Sequence, residues 1–268
     1  IRKLIISTIT INNYYVDSVD TEKLVEDAIR GMIEKLDPHS AYSTAEQTKR
    51  LNEPLQGSFD GIGIQFNILD DTLMVIQTVT GGPSEKAGVM AGDRIISVGD
   101  TAIAGVKMPQ EEIMKRLRGP RGKKAHLGIM RDGIDETIYI DVIRDKIPLN
   151  SVDAAFMVTP HTGLIRFSNF AATTYDEVVE AIKKLKAQGM KNLILDVTQN
   201  GGGFLQAAAE IASELLPKDD LIVYTQGRAI KPQEFLSRGG NAFQDGKVII
   251  LVDEYSASAA EILAGAVQ

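Results

Sequence analysis

A chain of 268 residues, 44% hydrophobic and 24% charged, is a globular sequence long enough for two or three domains. Its net charge of −7 leaves no overall basic field for nucleic acid, and the lack of cysteine excludes disulfides, thiol catalysis and Cys-ligated zinc. No apolar run is long enough to cross a bilayer, and the short basic run Lys115–Lys124 reads as a solvated helix end and turn.

Residues 1–56 read as a helical segment. In "EKLVEDAIRGMIEKL", Leu24, Val25, Ala28, Ile29, Met32, Ile33 and Leu36 form one apolar stripe at helical spacing. Asp20 or Thr21 can cap this helix, and Asp37–Pro38 stops it. The preceding "KLIISTITINNYYV" is apolar with weaker periodicity, and is expected to pack locally or to build a homo-oligomer against a second copy. The chain opens without an initiator Met and stops inside a helical pattern, so we expect a longer polypeptide with any leader upstream.

Residues 57–145 change to short strands punctuated by Gly and Asp: "GIGIQFNI", "TLMVIQTV", "DRIISVGD", "AHLGIM" and "TIYIDVI", with one helix, "QEEIMKRLRG". Residues 146–268 alternate strands with longer helices. "TGLIRFSNF", "KNLILDV" and "KVIILV" are the strands; "TTYDEVVEAIKKLKAQG", with a Thr cap, and "FLQAAAEIASELL" are helices. This order predicts a mostly parallel sheet covered by helices.

Two strand ends in that last region carry unusual residues. Asn200, Gly201, Gly202 and Gly203 lie between a strand and a helix, where glycines allow close backbone approach and free amides. The spacing matches neither a dinucleotide fingerprint nor a phosphate loop. The second strand end is "DEYSASAAEILAGA", with Ser256 and Ser258 ahead of a helix. Ser258 and Glu261 have capping-box spacing, and on this stretch alone a cap is the stronger reading. The alternative is a nucleophile, with amides of the glycine loop facing it if the two strands are close in the sheet. His39 follows Pro38, His126 lies in a strand and His161 in a turn, so no Ser–His–Asp triad emerges. A base other than His, such as a desolvated Lys, would then be required.

"EKLDPHSAY", "FDGIGIQF", "DVTQNGGGFL" and "DEYSASAAEILAGA" occur in the order found in C-terminal processing peptidases, the tail-specific protease family, which this chain resembles over nearly its whole length. The resemblance implies a mixed α/β fold: a helical N-terminal segment, a PDZ module of β-barrel-like form and a ClpP/crotonase-like α/β catalytic core. It implies a Ser–Lys endopeptidase with Ser258 as nucleophile and the Ala259 amide as one oxyanion donor. Gly202, with Gly201 next, supplies the second donor. The general-base Lys is expected beyond Gln268, together with an assisting Gln. Thr198 stands where the family usually has Arg, which weakens any charge role carried over to that position.

In the PDZ module, Gly61, Ile62, Gly63 and Ile64 match the carboxylate-binding loop. Ile64 and Phe66 are expected on one side of the groove, and Ile113, Met114 and Leu117 on the other, with at least one of these three in the core. The implied partners are proteins or peptides with apolar C-termini, cut without metal or organic cofactor. The implied compartment is the periplasm or another extracytoplasmic space. The alternative is a PDZ-containing peptide-binding scaffold without catalysis. An acyl-CoA enzyme of crotonase type would explain the glycines but neither the PDZ module nor Ser258.

Overall fold

The computed structural model describes residues 1–38, 40–240 and 242–268, apart from the side chains of Glu46 and Arg50. His39 lies outside the described residues. The chain divides into two compact units, Ile1–Asn52 and Glu53–Gln268.

The first unit contains α1 (Arg2–Tyr14), α2 (Thr21–Ile33) and α3 (Ala45–Asn52). Asp20 is the cap of α2, its carboxylate accepting the N–H groups of Glu22 and Lys23 at 3.0 and 3.1 Å. Leu4, Ile5 and Ile9 of α1 face Val25, Ala28 and Ile29 of α2 across an open apolar cleft of about 300 Å³. No described residue of α1 or α2 is fully buried, so their apolar stripes are only partly covered.

The second unit begins with β1 (Ser58–Gly61), then β2 (Ile64–Leu69), β3 (Thr72–Thr78), α4 (Pro83–Ala87), β4 (Arg94–Val98), β5 (Thr101–Ala102), α5 (Gln110–Leu117), β6 (Lys124–Met130) and β7 (Ile138–Ile143). These strands form an antiparallel sheet in the order β2-β3-β4-β6-β7, with β5 beside β4. The barrel-like form expected of this module is corrected: β2 and β7 end the order, and the sheet stays open among the described residues. Its apolar face is closed by side chains of α5 instead. Ile113 and Leu117 are buried with Leu73, Ile95, Leu127, Ile129 and Val142 in one core. The chain enters and leaves the module through an antiparallel ribbon, where β1 pairs with β8 (Asp145–Pro148).

The remaining elements are β9 (Val152–Thr159), β10 (Thr162–Phe167), α6 (Thr174–Ala187), β11 (Asn192–Asp196), α7 (Leu205–Ser213), β12 (Leu221–Gly227), β13 (Ile230–Leu236), β14 (Lys247–Leu251) and α8 (Ala259–Val267). The main sheet runs β14-β11-β10-β9; its first three strands are parallel and β9 is antiparallel. Ile165, Leu193 and Leu195 pack against Val178, Ile182 and Leu185 of α6, Ala208 and Ile211 of α7, and Leu263 of α8 in a second core. The expected Thr cap of α6 takes a different form. Thr173 makes no capping bond, whereas the buried Thr174 hydroxyl accepts the Ala171 N–H at 2.7 Å and donates to Ser151 Oγ at 2.6 Å. β9 and the β12–β13 hairpin are elements that the sequence reading did not separate.

Candidate active site

The strands that precede the two candidate loops are neighbours. β11 pairs with β14 in parallel, Asp196 opposite Leu251, so the glycine loop and the serine turn leave the same edge side by side. Their backbones are then bonded to each other: the Ala257 N–H donates to Asn200 O at 3.1 Å.

Ser258 stands at the start of α8 with φ 56° and ψ −112°. A helix cap ordinarily sits in the extended region with negative φ. Positive φ is costly for a residue with a Cβ, and such strain collects at functional turns. The turn is held by the Glu261 carboxylate, which accepts the Ser258 N–H at 2.6 Å. This is the half of the capping box made by the glutamate. Ser258 is exposed, whereas Ala259 after it is buried. A strand-to-helix turn that lifts a serine out of the sheet in this way is the local geometry of a nucleophile elbow.

Gly202 packs directly beneath this serine. A Cβ built on Gly202 would stand 2.8 Å from Ala257 O, 2.8 Å from Ser258 Cβ and 3.0 Å from Ala259 N. Its φ is +99°, a conformation glycine reaches at little cost. Its N–H is already engaged, donating to Asn200 Oδ1 at 2.9 Å. Gly201 is exposed, and a Cβ there would meet nothing within 4 Å.

Three polar residues that the sequence reading gave no role hold the two loops together. Asn200 is fully buried; its Nδ2 donates to Phe167 O at 2.9 Å, at the end of β10. Asp253, on the serine turn, accepts at Oδ1 from the N–H groups of Gln199, Tyr255 and Ser256 at 3.0, 3.1 and 3.1 Å. Its Oδ2 accepts from the Gln199 side chain. These bonds, the Gln199 N–H first among them, hold the Asp253 pKa below the ordinary carboxylate value against the opposing effect of partial burial. Ser256 faces inward, donating to Val197 O at 2.7 Å and accepting the Asp253 N–H at 3.0 Å. The Asp-x-x-Ser spacing of "DEYS" is a local side-chain-to-backbone signature that could have identified this turn. Thr198 bonds Asp196 through both its N–H and its hydroxyl, at 3.0 and 2.7 Å. A cation reaches Asp196 from β10, where Arg166 Nη1 lies 3.8 Å away.

His126 and His161 stand apart from this arrangement. His126 bonds Asp141 on the adjacent strand at 2.7 Å and stacks on Tyr139. His161 lies in the turn between β9 and β10.

In the antiparallel module, Gly61, Ile62 and Gly63 are buried, and Gly63 has φ +73°. Ile64 and Phe66 of β2 are half-buried against the core, and Met114 of α5 is half-buried. Ile62, Ile113 and Leu117 are core residues, 2%, 2% and 4% exposed.

Comparison with known proteins finds three family models in tandem: the activating protease CtpB N-terminal domain over residues 1–47, a PDZ domain over 61–142 and peptidase family S41 over 161–268. The chain belongs to the C-terminal processing peptidase family. A carboxy-terminal-processing protease of Bartonella bacilliformis is 34% identical over 263 residues, 96% of this chain and 59% of that protein. The carboxy-terminal processing protease CtpB of Bacillus subtilis is 33% identical over 261 residues, 96% of this chain and 54% of that protein. The chain thus spans a little over half the length of these relatives. Among solved structures, a photosystem II D1 C-terminal processing protease shares 25% identity across 98% of this chain and 76% of its own, with a TM-score of 0.46. No helix among the described residues is long and apolar enough to cross a membrane.

Proposed function

We propose that this chain forms the recognition and nucleophile-bearing part of a serine endopeptidase that binds the C-terminal tails of proteins and cleaves them nearby. The observation that carries this reading is Ser258, at positive φ on a strand-to-helix turn, with Gly202 packed against its Cβ from the neighbouring strand end. In the reaction, Ser258 Oγ forms a bond to the peptide carbonyl carbon as its proton passes to a neutral lysine amine. The family places that lysine after the serine helix. The C–N bond then breaks as the amine leaves with the proton, and water hydrolyses the acyl-enzyme. The Ala259 N–H supplies one oxyanion donor. The glycine loop supplies the other through Gly202, whose N–H is shared with Asn200, or through Gly201.

The PDZ module supplies recognition. The open edge of β2 can pair with an extended peptide, whose last side chain rests against Ile64, Phe66 and Met114. The uncovered apolar residues of α1 and α2 serve a homo-oligomer, and the protein works outside the cytoplasm, as the family resemblance implies.

The test is peptide cleavage by the full-length protein. Ser258→Ala is expected to lower kcat/KM on the order of 10⁴–10⁶-fold. Ser256→Ala is expected to retain cleavage while losing about 1–2 kcal/mol of stability, because it removes the bond to Val197 O. Undiminished cleavage by Ser258→Ala would overturn the mechanism. Peptide binding without any Ser258-dependent cleavage would favour a scaffold.

A further inference from the structure

Three strand ends must be fixed relative to one another for the proposed chemistry, and one residue touches all three. Asn200 is 0% exposed although the serine turn beside it faces solvent. Its Nδ2 donates to Phe167 O at the end of β10, 2.9 Å. Its Oδ1 accepts the Gly202 N–H, 2.9 Å, in the loop after β11. Its backbone carbonyl accepts the Ala257 N–H, 3.1 Å, in the turn after β14 and one residue ahead of the nucleophile. These strands are consecutive in the sheet. The far side of the glycine loop is fixed by Phe170, whose N–H donates to Gly202 O at 2.9 Å and whose carbonyl accepts the Phe204 N–H at 2.7 Å.

We propose that Asn200 is the positioning residue of the oxyanion loop, its single buried carboxamide setting the Gly202 peptide against Ser258 and Ala259. This inference rests on the hydrolase reading above. A carboxamide is required because one end must accept from an amide while the other donates to a carbonyl. Serine is too short to do both, and leucine leaves two buried polar groups unpaired. Oxyanion stabilisation depends on donors held in place before charge develops, so a loosened loop costs rate more than binding.

Aspartate has the same shape as asparagine but accepts only when ionised. In Asn200→Asp the Gly202 bond survives, while a carboxylate oxygen faces the Phe167 carbonyl. Protonation restores a donor there, and burial raises the pKa of such a carboxyl. The charged side chains on the surrounding elements are Arg166 of β10, Asp196 of β11, Lys247 of β14, Glu210 of α7, Asp253 and Glu254 of the serine turn, and Glu261 of α8. Wild type and variant share them, so their titration cancels in an activity ratio.

The experiment uses the full-length protein and a peptide substrate with a free, apolar C-terminus. Asn200→Ala is expected to lower kcat about 10²-fold while KM changes little. Affinity for the same peptide, measured with Ser258→Ala added to wild type and variant, is expected to stay level. For Asn200→Asp, kcat relative to wild type is expected to be low at pH 8 and to rise as pH falls, measured well below the melting temperature. The Asp variant carries the test if Asn200→Ala does not fold. A folded Asn200→Ala with wild-type kcat, or an Asp variant whose activity ratio is flat with pH, would overturn the inference alone. Wild type without Ser258-dependent cleavage would overturn the hydrolase reading, and this inference with it.

Discussion

A Cβ added to Gly201 meets open space, whereas one added to Gly202 meets backbone and the Cβ of Ser258, the proposed nucleophile, at 2.8 Å. The two neighbours therefore make a sharp experimental pair. Gly202→Ala must place a side chain at φ +99°, where L residues are strained by roughly 1–3 kcal/mol, against backbone atoms that cannot swing aside. It is expected to push the glycine loop away from Ser258 and to cost about 10²-fold in kcat, as small misplacements of reacting groups do. Gly201→Ala keeps its N–H and has room, so cleavage and melting temperature are expected to stay close to wild type. Kinetics of the two variants under one set of conditions check the claim; equal loss in both would mean that the loop does not support the serine as proposed. Ser258 carries strain of the same kind at φ 56°. A cap in the extended region would have carried none; Ser258 caps α8 with its N–H on Glu261 and carries this strain as well, which supports the proposed nucleophile reading without displacing the cap.

At the scale of the element, the serine turn is a short loop held by two carboxylates, Asp253 where it leaves β14 and Glu261 where it enters α8. Asp253 accepts hydrogen bonds from Gln199, Tyr255 and Ser256, and its pKa lies below the unfolded value. A carboxylate with a depressed folded pKa adds stability that is fully present above the unfolded pKa, about 3.9. That stability is lost as pH falls through the lower folded pKa. The melting temperature of wild type relative to Asp253→Asn is therefore expected to be constant from neutral pH to about 5 and to shrink below about 4. A difference independent of pH down to 3 would show that the charge of Asp253 does not hold the turn. Elements of this kind are where the sequence was hardest to interpret. The apolar run "KNLILDV" announces a buried strand because burial on both faces needs continuous apolar side chains, whereas the similar run "KVIILV" forms β14 at the end of the sheet and leaves Ile249 and Leu251 exposed. The β12–β13 hairpin mixes Gln226, Lys231, Pro232, Gln233 and Glu234 into its strands, and the proline hides an edge strand. Ser258 stood out through the motif around it. Asn200 did not, because its partner Phe167 lies 33 residues away; Asp253 has local partners in Tyr255 and Ser256, but its bond to the glycine loop through Gln199 spans 54 residues. Only the packed sheet brings those groups together.

On the scale of the whole molecule, the proposed recognition module and the proposed nucleophile sit on different sheets within one unit, and the chain passes from one to the other through β8, which pairs with β1. The loop at the start of β2 is the proposed capture site for a tail. The Ile62 carbonyl accepts the Ser84 N–H at 3.0 Å, and the Gly63 carbonyl accepts the Val79 N–H at 3.0 Å. In a trans peptide the N–H points opposite to the carbonyl, so the Gly63 and Ile64 amides face away from those partners. Two successive amides turned outward beside an unpaired strand edge suit a terminal carboxylate, and half-buried Ile64 and Phe66 suit an apolar last side chain. An apolar-ended peptide is expected to bind the protein about 10–100-fold more tightly as the free acid than as the amide, the worth of a hydrogen bond to a charged group. Changing its last residue to Asp is expected to weaken binding as well, since a charge in that slot is desolvated without a partner. Calorimetric titration of Ser258→Ala, which leaves the peptide uncut, measures both. Equal affinity for acid and amide would remove carboxylate capture. Substrate choice would then rest on strand pairing along β2 alone, and cleavage of a substrate protein would no longer depend on its having a free C-terminus.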